Sequence, residues 1–441
     1  MARSPARSTI LATRTGSGGA RLLLMGTTAL LPFAWAGQAW AQAPNAVPTG
    51  GQVTAGQAGI QQSGTHTQIT QGSDRAIIEW QRFDVGRDAT VNFTQPSVNA
   101  WTLNRVNTPD PSMIAGQITA NGGVAIVNPS GVVFAQGAQV NVGSLVATAA
   151  GITNQNFMAG RLVFDGQPNP GARVENHGEI TVADRGLVAL VAPGTANHGA
   201  IRARLGTAIV AGAETYRLDL AGDGLLSIDV TQAVRRAPDG ATALVTNSGV
   251  IAAEGGQVIL TAQAASGLVE AVVRNTGQVT AGRVAIEGRG GNVEIAGGAV
   301  AAPGGRVGIT APGAGVTVAA GARVSASAPA GGGRVQLGGN GTARTRVEGR
   351  VAARGTATGA RGGNVAVQAT EAVTLAAGAV VDASGAAGGG EVLVGTTGVG
   401  RAQTMARETR VDLGAAVRAD ALELGHGGLI AVNSLEATSA L

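Results

Sequence analysis

The sequence predicts an all-β fold, a stacked β-solenoid, and three observations carry that prediction. Glycine supplies 71 of 441 residues, whereas aromatic side chains make up 2% and charged ones 13%. Short runs such as VEIAG and GRVQLGG alternate Val, Ile or Leu with small or polar residues, the period of a strand with one buried face. An Asn-x-Gly pattern followed by such a strand returns repeatedly along the chain. Collagen would need glycine at every third place, and a disordered chain would not keep the alternation. A β-sandwich with long glycine loops would need more aromatic or branched core residues and fewer short strands.

The first element is an export signal over residues 1–41. Arg3, Arg7, Arg14 and Arg21 give it positive charge, and Leu22 to Ala36 form its apolar core. Ala39-Trp40-Ala41 is a small-x-small cleavage site, with Gln42 as the mature start. The core is short and Pro32 interrupts it, which disfavours a retained membrane helix. Removing the four signal arginines takes the basic residues from 31 to 27, matching the 27 acidic ones, and every basic residue is arginine. Without a basic stripe carrying aromatic platforms, the chain is not expected to bind nucleic acid. Cysteine is absent, so no cross-link would obstruct passage through a narrow pore.

A cap follows, expected before about residue 70, because an open parallel stack is aggregation-prone at its end. The segment GQVTAGQAGIQQSGTHTQITQGS supplies it. Next comes a region carrying every mature aromatic residue: Trp80, Phe83, Phe93, Trp101, Phe134, Phe157, Phe164 and Tyr216. Large side chains suit a cap or irregular insertions, so this half is a specialised domain. Trp80 and Trp101 are expected to pack or cap; exposed, they would be candidates for carbohydrate binding.

The remainder is a plainer shaft filled by Val, Ile, Leu and Ala. Asn176-His177-Gly178, Asn197-His198-Gly199, Asn247-Ser248-Gly249 and Asn275-Thr276-Gly277 mark equivalent corners. Asparagine there can bond neighbouring backbone or stack on its counterpart, and glycine is expected to admit left-handed backbone. Coils of about 20 to 25 residues, each rising about 4.8 Å, would make the mature chain a rod of about 80 to 90 Å. The chain stops at Leu441 after a strand at Gly427 to Val432 with no evident cap, as expected of a truncated gene product.

The stretch from Asn92 to Thr148 says which solenoid this is. Phe83-Asp84-Val85-Gly86, Val91-Asn92-Phe93-Thr94-Gln95-Pro96, Leu103-Asn104-Arg105-Val106, Ile114 to Gly122 and Asn128-Pro129-Ser130-Gly131 occur in that order. Together they resemble the haemagglutination-activity or two-partner secretion domain of filamentous-haemagglutinin-type exoproteins, with Ser130 where the family's Asn-Pro-Asn-Gly turn has asparagine. The resemblance implies a right-handed parallel β-helix, with a secretion domain over residues 42–310 and shaft repeats over 311–441. It further implies export by the Sec machinery and recognition by a cognate outer-membrane TpsB-type transporter bearing POTRA domains. The product would then be secreted or held at the Gram-negative cell surface as an adhesin, with host-cell or surface glycans as further partners. Asn92, Gln95, Pro96, Asn104, Asn128, Pro129 and Gly131 are the residues expected to give secretion competence, by contacting the transporter or by nucleating the fold. Exposed edges of the early coils are a further expected docking point, through strand addition.

Other functions find less support. Asp219, Asp223 and Asp229 form the densest acidic patch, read as a polar loop or inserted hairpin; without a paired acid and base, polysaccharide cleavage is unsupported. His66, His177, His198 and His426 make no metal set, and His177 and His198 are expected to stack along one edge. No enzyme activity, metal or cofactor is expected. Calcium-binding glycine nonapeptides are absent. The C-terminal aromatic girdles of an autotransporter barrel are absent too.

Overall fold

The structure, a computed structural model, describes residues 42–219, 227–339, 341–398 and 405–440, so the export signal lies outside the described residues. Residues from Gln42 onward form one compact unit. It is a right-handed parallel β-helix whose coils contribute strands to three ladders.

The first ladder begins with His66–Gln71, Thr90–Thr94 and Gln117–Ala120 and ends with Val380–Asp382 and Ala416–Arg418. The second runs from Arg75–Trp80 and Trp101–Val106 to Glu391–Val394 and Leu429–Val432. The third runs from Ser112–Ile114 and Gly131–Phe134 to Ala437–Ala440. Inward residues such as Val284, Val307, Val335 and Val365 stack in register on successive coils and exclude water, which is why the alternating pattern folds this way.

The cap is present where the sequence places it. Gln52–Ala55 pairs antiparallel with Arg75–Trp80, and Ala58–Ser63 pairs antiparallel with His66–Gln71. These two strands occupy the edges of the first coil, and Val85 bridges to Ile114 on its third side. Strand addition directly on these first-coil edges is therefore blocked, because the chain's own cap strands fill them.

Coil length departs from the sequence expectation. Among the described residues the first ladder holds thirteen strands, so its twelve steps of about 4.8 Å span about 58 Å, well short of the expected rod. The difference lies in insertions that add residues without adding height. Two leave the corner between the second and third ladders, from Thr148 to Arg173 and from Gly212 to Ala243. They build an antiparallel sheet of Gly151–Ile152, Leu162–Gly166, Thr215–Asp219 and Ser227–Gln232, with a short helix at Asn154–Met158. Phe157, Phe164 and Tyr216 bury this sheet against outward-facing Leu103, Val146, Ala189 and Ile209 of the second ladder. Phe164 and Tyr216 stack with ring centroids 4.7 Å apart. The acidic patch resolves into the outer hairpin carrying Asp219 and Asp229; Asp223 lies outside the described residues.

The corner between the third and first ladders stays short. There Asn176, Asn197, Asn247 and Asn275 are fully buried and linked Nδ2 to Oδ1 at 2.8, 2.8 and 2.7 Å. The accompanying glycines do not have left-handed backbone, contrary to the sequence expectation. They are required by close stacking: a Cβ on Gly199 would lie 2.1 Å from the carbonyl oxygen of Gly178. His177 and His198 stack outside this corner, with centroids 4.7 Å apart.

Candidate functional site

The seven residues singled out in the sequence all lie in the first coils, but the structure divides them into buried builders and accessible neighbours. Gln95 is 5% exposed and joins three segments. Its Oε1 accepts from the Gly122 amide at 2.8 Å, while its Nε2 donates to Thr102 Oγ1 at 3.0 Å and to the Gly123 carbonyl at 2.9 Å. Its own amide donates to Asn121 Oδ1, and Asn121 Nδ2 returns a bond to the Gln95 carbonyl, both at 2.8 Å. A buried amide satisfied on every side fixes the corner where one coil hands over to the next.

Asn104 is fully buried in Trp101–Val106. It accepts from Trp80 Nε1 at 3.0 Å and donates to the Ala125 carbonyl at 3.3 Å. This explains Trp80, whose indole is packed at 4% exposure and edge-on to Phe83; Trp101, at 8%, is likewise a packing residue and no carbohydrate platform. The next residue, Arg105, ties the coil to the outer insertion by donating to Glu79, to Asn154 and to the Ile152 carbonyl.

The Asn128-Pro129-Ser130-Gly131 segment is a tight corner. Asn128 Oδ1 accepts from the Ser130 amide at 2.9 Å, and the Asn128 carbonyl accepts from the Gly131 amide at 2.8 Å. Asn128 Nδ2 donates to the Asp110 carbonyl and to Ser112 Oγ, both at 3.1 Å. Gly131 sits at φ +112°, and a Cβ there would lie 2.2 Å from the Arg173 carbonyl oxygen, so only glycine fits. Pro129 is half-buried, and its carbonyl accepts from Asn169. Serine at the third place is used: Ser130 Oγ donates to the Thr108 carbonyl and accepts from Asn169 Nδ2.

Asn92 and Pro96 are different. Asn92 is half-buried on the outer face of the first ladder, its Nδ2 bonded to Thr119 Oγ1 at 2.6 Å. Pro96 is exposed beside Val98, which is 72% exposed. Sequence reasoning missed Thr102, the buried partner of Gln95, and Gln71, whose Oε1 accepts from Thr102 Oγ1, although polar residues inside apolar strands were the available signal. It also missed the use of Asp84, which accepts from the Met113 amide at 2.9 Å and from Arg82 Nε at 2.9 Å. That bond, with a second to Asp110, raises the Arg82 pKa above its ordinary value.

Among the described residues no group of three or more His, Cys, Asp or Glu could hold a metal ion, and no helix is long and apolar enough to cross a membrane. The arrangement offers hydrogen-bonded corners and long ladders, a scaffold and a surface.

Known proteins resemble this chain. The heme/hemopexin-binding protein of Haemophilus influenzae strain Rd is 35% identical over 165 residues, which are 36% of this chain and 18% of that protein. Another heme/hemopexin-binding protein of Haemophilus influenzae is 49% identical over 80 residues, 18% of this chain and 9% of its own length. The chain thus spans less than a fifth of the length of the curated relatives it matches. The crystal structure of the HMW1 secretion domain from Haemophilus influenzae superposes with a TM-score of 0.68 at 24% identity, covering 87% of this chain and 100% of that one, which shows a common fold. The TPS secretion domain matches residues 45–296, from the cap past the last asparagine of the buried ladder. That is more than half of the chain, and the protein belongs to the TPS secretion domain family.

Proposed function

We propose that the chain is the exported partner of a two-partner secretion system. The Sec machinery delivers it to the periplasm, a cognate outer-membrane TpsB-type transporter recognises its first coils through POTRA domains, and it folds outside the cell. Residues 42–310 serve as the secretion domain and 311–441 as shaft. The single observation that carries this reading is the family match over the coils that Gln95, Asn104 and Asn128 hold together.

The burial of Gln95, Asn104, Asn128 and Gly131 supports a role in building the first coils, with Asn92, Pro96 and Pro129 left as the accessible members for transporter contact. The contacts between coils are local, so a chain emerging from a pore folds progressively without waiting for distant partners. Outside, the exposed faces of the stack act as an adhesin-like surface that docks on host-cell or surface glycans.

The test expresses the chain with its own signal in a Gram-negative host, with and without a TpsB-type transporter, and measures folded protein outside the cell. Transporter-dependent appearance, lost in Asn92→Ala or Asn128→Ala, is the expected result. Periplasmic accumulation in both strains would overturn the proposal. Refolding rates of the purified variants separate the two modes: a contact residue lowers export without slowing refolding, whereas a nucleating residue does both.

A further inference from the structure

Arginines on this helix mostly meet carboxylates on the same or a neighbouring coil. Arg274 lies 3.3 Å from Glu294, Arg289 2.7 Å from Glu287, Arg344 3.0 Å from Glu371 and Arg346 2.6 Å from Glu348. Of the arginines without such a carboxylate, three form a row. Arg283 pairs in register with Arg306, and Arg306 with Arg334, which places three guanidinium-bearing residues directly opposite one another on consecutive coils of the second ladder. All three are exposed, and among the described residues none of their side chains has an ion-pair or hydrogen-bond partner. Like charges opposite one another in a sheet oppose pairing, so the row costs stability that no internal contact returns.

A second observation lies beside the row. The adjacent outward positions are Ala285, Gly308 and Gln336, half-buried on the face that the inserted sheet covers in earlier coils. Gly308 is in the middle of Arg306–Thr310 with no left-handed backbone, and a Cβ built on it would meet no atom within 4 Å. Neither conformation nor packing calls for glycine there. A glycine inside a strand often marks a bulge, a tight bend or a close approach by a ligand or another backbone, and the register at Gly308 is unbroken.

We propose that this panel binds a linear acidic polysaccharide lying along the helix axis. The coil rise of about 4.8 Å sets the guanidinium groups at a repeat close to one pyranose residue. Each guanidinium presents a planar fork that matches a carboxylate or a sulfate. The strip at Ala285 and Gly308 lets a sugar ring lie flat against the backbone. A second opposed pair on the first ladder, Arg323 on the coil of Arg334 and Arg350 on the next coil, is also exposed without an ion-pair or hydrogen-bond partner among the described residues and raises the local positive potential. The proposal deepens the glycan-docking part of the proposed function and is independent of the secretion part.

The experiment uses the purified, folded mature chain and measures binding to dextran sulfate, polygalacturonate, neutral dextran and duplex DNA at low and physiological salt. The sulfate and carboxylate probes are expected to bind in a salt-dependent way, and neutral dextran is not. Arg283→Gln/Arg306→Gln/Arg334→Gln is expected to weaken binding by about tenfold or more. Its melting temperature should be unchanged or higher, because the opposed charges are gone. Gly308→Val keeps the charges but fills the strip and should weaken binding too, while Arg344→Gln/Arg346→Gln, outside the panel, should not. Equal binding by the triple variant, or DNA binding as tight as that of the acidic polysaccharides, would overturn the proposal. Binding of neutral glycan alone would overturn the acidic panel while leaving glycan docking in place.

Discussion

Asn247 shows how a single side chain can be structural at both ends. It donates to Asn275 and accepts from Asn197 in a fully buried ladder, so Asn247→Ala orphans a donor and an acceptor at once. The expected cost is about 1–3 kcal/mol, read by urea unfolding. Replacing all four asparagines by Val or Leu should cost far less, because the same register position holds Phe134 before the ladder and Ile295 after it. Outside the same corner, burial, then proximity to His177, lowers the His198 pKa below 6.5, partly opposed by Glu175. The folded state thus resists a proton that the unfolded state accepts, so the His198 contribution is complete above pH 6.5 and is lost as pH falls below it. Melting temperatures across that range should fall more in the parent than in His198→Asn, which does not titrate. The Asn-x-Gly corners were legible in the sequence. The reason for the glycine was not: left-handed backbone and close stacking of coils select the same residue, and only the 2.1 Å clash distinguishes them.

Among the elements, the cap and the inserted sheet carry the clearest consequences. Deleting residues 42–64 would leave the edges of His66–Gln71 and Arg75–Trp80 unpaired, and the shortened chain is expected to self-associate more than the parent in size-exclusion chromatography. In the inserted sheet, Phe164→Ala removes a fully buried ring stacked on Tyr216 and should cost about 3–5 kcal/mol in chemical unfolding. The T-x-T-x-I-T alternation made the cap legible. Coil length was not legible, since strands of the outer sheet have the same alternation as strands of the ladders. Leu162–Gly166 and Ser227–Gln232 look like further coils until their antiparallel pairing is seen. Of the candidate site, the motif positions could be read from sequence. Their division into buried and accessible members depends on neighbours one coil away, such as Thr102 and Gly122 around Gln95, which local spacing does not reveal.

The whole molecule is uneven along its axis. Every described aromatic side chain is buried in the coils before Asn247, several of them pinning the inserted sheet, whereas the apolar core of the later coils is built of Val, Ile, Leu and Ala. Stability in such a stack is close to a sum over neighbouring coils, so the two halves are expected to open separately. Limited proteolysis in mild denaturant should leave a protected fragment that begins near Gln42 and retains Tyr216, and a single cooperative loss of the full chain would contradict this. Height along the axis, finally, is counted in coils and not in residues. Asn176 and Asn197 are 21 positions apart, Asn197 and Asn247 are 50 apart, and each pair is in direct contact one rung on. The stack is thus a ruler graduated in rungs. A new device can be grafted at the corner between the second and third ladders without shifting any other mark, and reach changes only when a whole rung is gained or lost.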